Sequence, residues 1–239
     1  MNDAGSVALS SQLVVLHQTD VIANNLANLS TTGFKAQHVT FTQYLAQASD
    51  GTPISYVQEA GTARDPTQGR MNTTGNALDV AIRGDGYFTI QTPLGPRFTR
   101  DGHFQLDSDG QIVTSQGYPV LSDGNSPLVI PQGAGEITIG ADGTVSTPQG
   151  QVGQLGVVTF PDQMAMTETA GGYFMTSQAP QPATDTQLMQ GSLEGSNVEP
   201  IVEITRLINS QHSVEYSKTF VDTLATEISN AIDRLGKTP

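Results

Sequence analysis

The chain contains no cysteine, which excludes a disulfide framework and any thiolate chemistry. Positive charge is scarce: 10 Lys and Arg stand against 23 Asp and Glu, giving a net charge of -13. A phosphate backbone would be repelled, so nucleic acid is not an expected partner. Long apolar runs are also missing. No stretch approaches the ~20 residues that a membrane-spanning helix needs, so direct membrane insertion is not expected. The first basic residue is Lys35, and the apolar stretches before it are broken by Ser, Gln and Thr. The positive leader and continuous apolar segment of a cleaved secretory signal are therefore not expected here.

What the chain does have is concentrated at its two ends. In the last segment Leu207, Val214, Val221, Ile228 and Leu235 recur every seventh residue, with Leu224 and Ala231 at the intermediate apolar position. That spacing predicts a coiled-coil seam. In the first segment Ala8, Val15, Ile22 and Leu29 follow the same step, and Leu9, Leu16, Ala23 and Leu26 widen the stripe. Neither stripe is wide enough to enclose a core by itself, so each end needs the other, or a second copy, as its partner. The first helix is expected to start near Asp3 or Ser6 and to end near Gly33. There a left-handed glycine could terminate it and Phe34 could pack back on the last turn. Asn24, Asn25 and Asn28 are poor helix formers placed late in that helix. Two readings are open for them: a fraying helix end, or amides bonding across a helix–helix interface to fix register. At the other end Asn197 is placed to cap a helix whose first turn holds Pro200. Run to Leu235, that helix would be ~55 Å long.

Between the ends the pattern changes. Residues from Lys35 to Arg70 carry little periodicity, with Pro53 and Pro66 favouring extended connections. From Leu78 onward apolar residues alternate, as in Leu78, Val80 and Ile82 and then Phe88 and Ile90. Asp-Gly pairs at 85–86, 101–102, 109–110, 123–124 and 142–143 punctuate the runs. This predicts an antiparallel meander or small barrel. The expected fold is thus α+β, with long N- and C-terminal helices pairing as a coiled-coil-like stalk and a central antiparallel β-rich body. The expected divisions are 1–34, 35–196 and 197–239.

Sites for chemistry each have a simpler structural reading. Asp107-Ser108-Asp109-Gly110 opens like a calcium loop, but Ile112 and Tyr118 stand where such a loop needs Gly and a bidentate Glu. His17, His38, His103 and His212 are scattered, without ligand spacing. Gly133-Ala134-Gly135 leads into a strand pattern and cannot present a helix N-terminus to phosphate. Asp79 and Asp85 could in principle serve a carbohydrate-active enzyme, as any acidic chain offers such pairs. Arg83-Gly84-Asp85 is an adhesion-type tripeptide already accounted for by a turn. No cofactor, metal or catalytic residue is expected.

Asn24-Asn25-Leu26-Ala27-Asn28-Leu29-Ser30-Thr31-Thr32-Gly33-Phe34-Lys35 resembles the N-terminal signature of the bacterial flagellar rod and hook proteins. The stretch from Thr74 through Gly75-Asn76 and Arg83-Gly84-Asp85-Gly86 to Phe88 resembles their central motif, and Phe98 to Phe104 the one after it. Gly191 to Val198, with Glu203 and Leu207-Ile208, is similar to their C-terminal signature. His212-Ser213-Val214-Glu215 departs from the family pattern, which tends to Arg, a variable residue, an aromatic and Glu. The short stretch from Lys35 to Gly75 is more like proximal than distal rod members, a distal subunit being the alternative.

The resemblance implies a non-enzymatic structural subunit of the basal-body rod crossing the periplasm. It implies export by the flagellar type III apparatus without a cleaved signal, and head-to-tail assembly with copies of itself and other rod subunits. Surrounding ring proteins are further possible partners. The assembly interface is expected at Leu9, Leu16, Ile22, Asn25, Leu26, Asn28, Leu29, Gly33, Phe34, Leu207, Val214, Val221, Leu224, Ile228, Ala231 and Leu235. A reading of another class is a secreted oligomeric β-domain that binds a ligand or host surface, with the helices as its stalk. The two differ in where apolar surface lies: on the helices for a rod subunit, in a concave pocket of the body for a binder or enzyme.

Overall fold

The computed structural model describes residues 2–47 and 53–235. The chain divides into two compact units. The first contains helix α1 (Asn2–Ala27), a hairpin of β1 (Gln37–Gln47) and β2 (Pro53–Arg64), and helix α2 (Pro200–Leu235). The second contains Asn28–Ala36 and Asp65–Val198 and is built from short antiparallel strands.

In the first unit, β1 and β2 pair from Gln37 opposite Arg64 to Gln47 opposite Pro53, with a register shift at Thr40/Phe41. This hairpin occupies the stretch where the sequence shows no clear period. Its partner is long and local, so backbone pairing sustains it where side-chain alternation is weak.

The second unit forms around two apolar clusters on opposite sides of one sheet. β3 is Met71–Thr73, β4 Val80–Arg83, β5 Tyr87–Thr92 and β6 Gly95–Thr99. The six-stranded sheet runs Thr167–Thr169, Tyr173–Met175, β6, β5, Val157–Thr159, Gln181–Pro182, all antiparallel. Successive side chains of a strand point to opposite faces. Accordingly Phe88 and Ile90 join the larger cluster with Val80, Ile82, Phe104, Ile112, Val120 and Val145, whereas Tyr87 joins Phe98, Phe160, Met166 and Phe174. Phe88 and Phe104 meet edge to face, with centroids 5.0 Å apart. Both faces of β5 are therefore covered over most of its length: Thr89, between Phe88 and Ile90, is buried as well, and Gln91 alone of the strand is exposed.

Several expectations are corrected. In the expected fold class the coiled-coil-like stalk of paired terminal helices is overturned, while the β-rich body stands: among the described residues no N-terminal helix forms a coiled coil. Leu16 and Val221 are 47% and 42% exposed, whereas among the described side chains of α2 the buried ones are Glu203 and Ser210. A seven-residue apolar spacing marks one face of a helix. It produces knobs-into-holes packing only when a matching stripe faces it, and polar groups stand in that place here. Helix α1 ends at Ala27, six residues before Gly33. The left-handed Gly33 (φ 68°) therefore belongs to a later turn, closed by the Phe34 N–H on the Thr31 carbonyl at 3.3 Å. Nor does the Asn197 side chain cap α2: it accepts from the Ala36 N–H at 2.7 Å and donates to the carbonyls of Asp65 and Thr67. Pro200 does open α2, where its missing N–H costs no hydrogen bond.

Phe88→Ala should cost about 3–5 kcal/mol, because the ring is fully buried and its neighbours on two strands cannot collapse into the space. Chemical denaturation of the purified protein measures this, and a loss below about 1 kcal/mol would contradict the packing described.

Candidate assembly interface

In the first unit the two helices are joined by polar groups. The Thr19 and Ser210 hydroxyls lie 2.6 Å apart, and Ser210 also donates to the Val15 carbonyl at 3.3 Å. Six residues further toward the end of α1 stands Asn25, fully buried. Its amide donates to the Gln37 carbonyl at 2.8 Å and to the Glu203 carboxylate at 3.2 Å, and its oxygen accepts from the Gln37 N–H at 2.9 Å. One side chain thus holds the end of α1, the start of β1 and the first turn of α2. Glu203 is in turn bonded by Arg206 at 2.6 Å, whose guanidinium also reaches His38 Nδ1 at 3.2 Å. A buried carboxylate needs such partners, since its desolvation exceeds what one neutral hydrogen bond returns.

With the inner contacts polar, α2 turns its apolar residues outward. Ile201, Ile204, Ile208, Tyr216 and Phe220 are 81%, 45%, 48%, 75% and 52% exposed. Their spacing of three, four, eight and four residues keeps them along one slowly turning stripe. Leu13 and Leu16 of α1, three residues apart, are exposed too.

The sequence-predicted interface residues are distributed as follows. Ile22 and Asn25 are buried and Leu26 half-buried in α1. Asn28 lies in the turn after the helix, where its side chain accepts from the Thr31 hydroxyl at 3.0 Å. Leu29 and Phe34 come together with Ala36 and Val198 in a small apolar cluster of the second unit. Leu207 and Val214 are half-buried, while Leu16 and Val221 are exposed. The side chains of Leu9, Leu224, Ile228, Ala231 and Leu235 lie outside the described residues. The outward stripe escaped the heptad reading, although Ile201, Ile204 and Ile208 carry the signal in their spacing.

In the second unit the four signature stretches meet at a buried ion cluster that sequence reading did not find. Lys35 Nζ donates to the Glu194 carboxylate and to the Thr67 carbonyl, both at 2.7 Å. Glu194 also accepts from the Gly69 N–H at 3.1 Å, and Arg100 lies 3.5 Å from its other oxygen. Arg100 reaches the Gly84 carbonyl at 2.9 Å and stacks over the Tyr87 ring at 5.1 Å. Burial holds the Lys35 ammonium below its ordinary pKa, and Glu194 opposes that shift. The Glu194 carbonyl accepts from the Gly33 N–H at 2.8 Å. A Cβ on Gly33 would lie 2.7 Å from the Arg100 carbonyl carbon.

The alternative chemistries fare differently. The Asp107 carboxylate accepts from the N–H groups of Asp109 and Gln111, at 2.9 and 2.8 Å, so it closes a turn. Asp79 is held by Asn76 at 3.0 Å and His103 at 2.8 Å. Burial raises the Asp101 carboxyl pKa, against the lowering effect of the His103 N–H bonded to it. A cleft of about 540 Å³ in the second unit is lined by Leu94, Arg97, Gln116, Tyr118 and Tyr173 among others, without a carboxylate. It cannot supply the acid pair of a glycosidase.

Three family descriptions match the chain. Residues 8–35 match "Flagella basal body rod protein", 81–147 match "Flagellar hook protein FlgE/F/G D1 domain", and 189–220 match "Flagellar basal body rod FlgEFG protein C-terminal". The chain is 40% identical to the flagellar basal-body rod protein FlgF of Caulobacter vibrioides over 99% of both chains. It is 37% identical to the FlgF of Rhizobium meliloti over 96% of both. Similarity to the flagellar basal-body rod protein FlgG of Bacillus subtilis, at 34% identity, covers 85% of this chain and 88% of that protein.

Two substitutions test the geometry. Gly33→Val should destabilise the second unit by at least about 2 kcal/mol, since strain at positive φ adds to the clash with Arg100. An unchanged thermal midpoint would remove the close approach. Asn25→Leu should keep the helix propensity of α1 but leave Glu203 and both Gln37 backbone groups short of partners, at about 2–4 kcal/mol. Amide exchange at Gln37 as slow as in the unaltered protein would show that Asn25 does not hold the three elements.

Proposed function

The chain belongs to the flagellar basal-body rod protein family, and we propose from this premise that the outward stripe of α2 is the surface by which it joins its neighbours in the rod. It is a structural subunit of the rod, and the near-complete match to FlgF relatives fits that better than the FlgG alternative. The observation that carries the assembly reading is the location of apolar surface. Ile201, Ile204, Ile208, Tyr216 and Phe220 are exposed along one helix. The body, by contrast, closes its aromatic residues into two internal clusters. Exposed apolar stripes of this size mark surfaces that are covered in the working state.

The subunit assembles head to tail with copies of itself and with other rod components, through a heterologous contact that generates a helical array. Its site is the basal body, which it reaches through the flagellar export apparatus, and it transmits torque as a structural element and not as a catalyst. The N-terminal and C-terminal signatures act together in this reading, because Asn25 ties the start of β1 to Glu203 in the first turn of α2.

Ile204→Asp and Tyr216→Asp should each abolish incorporation into rods and motility while changing the stability of the second unit by less than about 0.5 kcal/mol, as an exposed substitution does. Purified basal bodies and thermal unfolding read the two effects separately. Normal rods containing either variant would refute the stripe as the contact surface.

A further inference from the structure

The ion cluster of the second unit is unbalanced. It holds two cations, Lys35 and Arg100, 5% and 2% exposed, around one carboxylate, Glu194, which is fully buried. Among the described residues Arg100 Nε has no hydrogen-bond partner. Glu194 is thus the limiting charge, and the groups that depend on it come from separated parts of the chain: Lys35, Gly69 and Arg100 all precede it by a wide interval. Its own strand, Ser192–Glu194, pairs with β3 and so closes the unit from the C-terminal side.

We propose that Glu194 is a closing residue: the second unit completes its packing only when the C-terminal segment delivers this carboxylate between Lys35 and Arg100. A chain presented N-terminus first exposes both cations before their one contacting, buried counter-charge exists, since Asp65 acts on Lys35 more weakly than Glu194 and from a half-buried position. Burying them then leaves two uncompensated ions in a low-dielectric interior, which is strongly unfavourable. The segment of β4 to β6 that includes Arg83-Gly84-Asp85 is held by the same group, because Arg100 bonds the Gly84 carbonyl only while its guanidinium is kept inside. The body therefore stays open until nearly all of the chain is present, and it closes as α2 begins. This coupling is a property of the second unit alone and does not rest on the assembly surface.

The test uses the full chain, with hydrogen–deuterium exchange of residues 80–106 as the readout. Glu194→Gln keeps the shape and removes the charge, and it should speed exchange at least tenfold. Lys35→Met alone leaves one cation facing one anion and should alter exchange less than threefold. Lys35→Met with Glu194→Gln returns the cluster to a single excess positive charge, as in the unaltered protein, and should recover at least threefold of the loss. If Glu194→Gln fails to fold, a folded double variant supports the proposal by the same logic. Exchange in Glu194→Gln as slow as in the unaltered chain overturns it. So does a double variant no better than Glu194→Gln, since the carboxylate would then act through its shape and hydrogen bonds, not its charge.

Discussion

A fully buried carboxylate is the constraint around which the second unit is arranged. Apolar clusters such as the one containing Phe88 and Val120 are strong but weakly directional, and they tolerate small shifts of one strand past another. An ion cluster does not. Glu194 must sit within hydrogen-bond reach of Lys35 and the Gly69 N–H while Arg100 faces its second oxygen, and its own carbonyl takes the Gly33 N–H. Those requirements fix where the N-terminal signature, the Arg100 turn and the C-terminal strand lie within the unit. They also explain why residue 33 is a glycine. The backbone of Arg100 passes so close that a side chain would displace it.

The first unit repeats the principle with neutral and charged partners. Asn25 and Glu203 are buried on the inner sides of α1 and α2, and the Thr19–Ser210 contact adds a second polar junction. Polar junctions cost desolvation and return little net stability, but they admit few alternative registers. On the proposed assembly reading, an apolar inner seam would instead hide the residues that meet the neighbouring subunits. Here Ile22 and Val21 supply the buried apolar contribution of α1, and Ile201, Ile204 and Ile208 stay outside.

The β-rich pattern was legible from alternation beginning at Leu78, because burial on a sheet leaves a period of two whatever covers the other face. The aromatic cluster of Tyr87, Phe98 and Phe174 was less so: it forms across strands distant in sequence, and no local period reports that a second face is covered. The β1–β2 hairpin went unread for a related reason, since backbone pairing and distant contacts such as those of Asn25 and Arg206 hold it, without a local apolar period. The motif around Asn25 and Gly33 was recognised and its glycine assigned a left-handed backbone. The helix ended earlier than expected, however, because Asn28, Ser30, Thr31 and Thr32 all favour turns. The heptad spacing of α2 is real as a pattern, yet among the described side chains it makes no coiled coil, because Asn25, Glu203 and Ser210 take the buried places between the helices. Glu194 was invisible as a site. Its partners lie 159 and 94 residues away in the chain, and only the tertiary fold brings them within reach.

Magnitudes decide what kind of assembly the exposed stripe can support. Five side chains of the exposed stripe, removed from water at roughly 1–2 kcal/mol each, yield about 5–10 kcal/mol. Immobilising a subunit costs an estimated ~4–15 kcal/mol before any side-chain ordering is counted. One such contact is therefore close to break-even, and two free copies at dilution gain little by pairing. A subunit that meets neighbours on more than one side is in a different position, because the immobilisation cost is borne once while the apolar gain is repeated. The net charge of -13 acts in the same sense, since it opposes random encounters between copies in solution. On the proposed reading, an interface that is marginal alone and sufficient in multiples would keep subunits apart until several contacts are offered together.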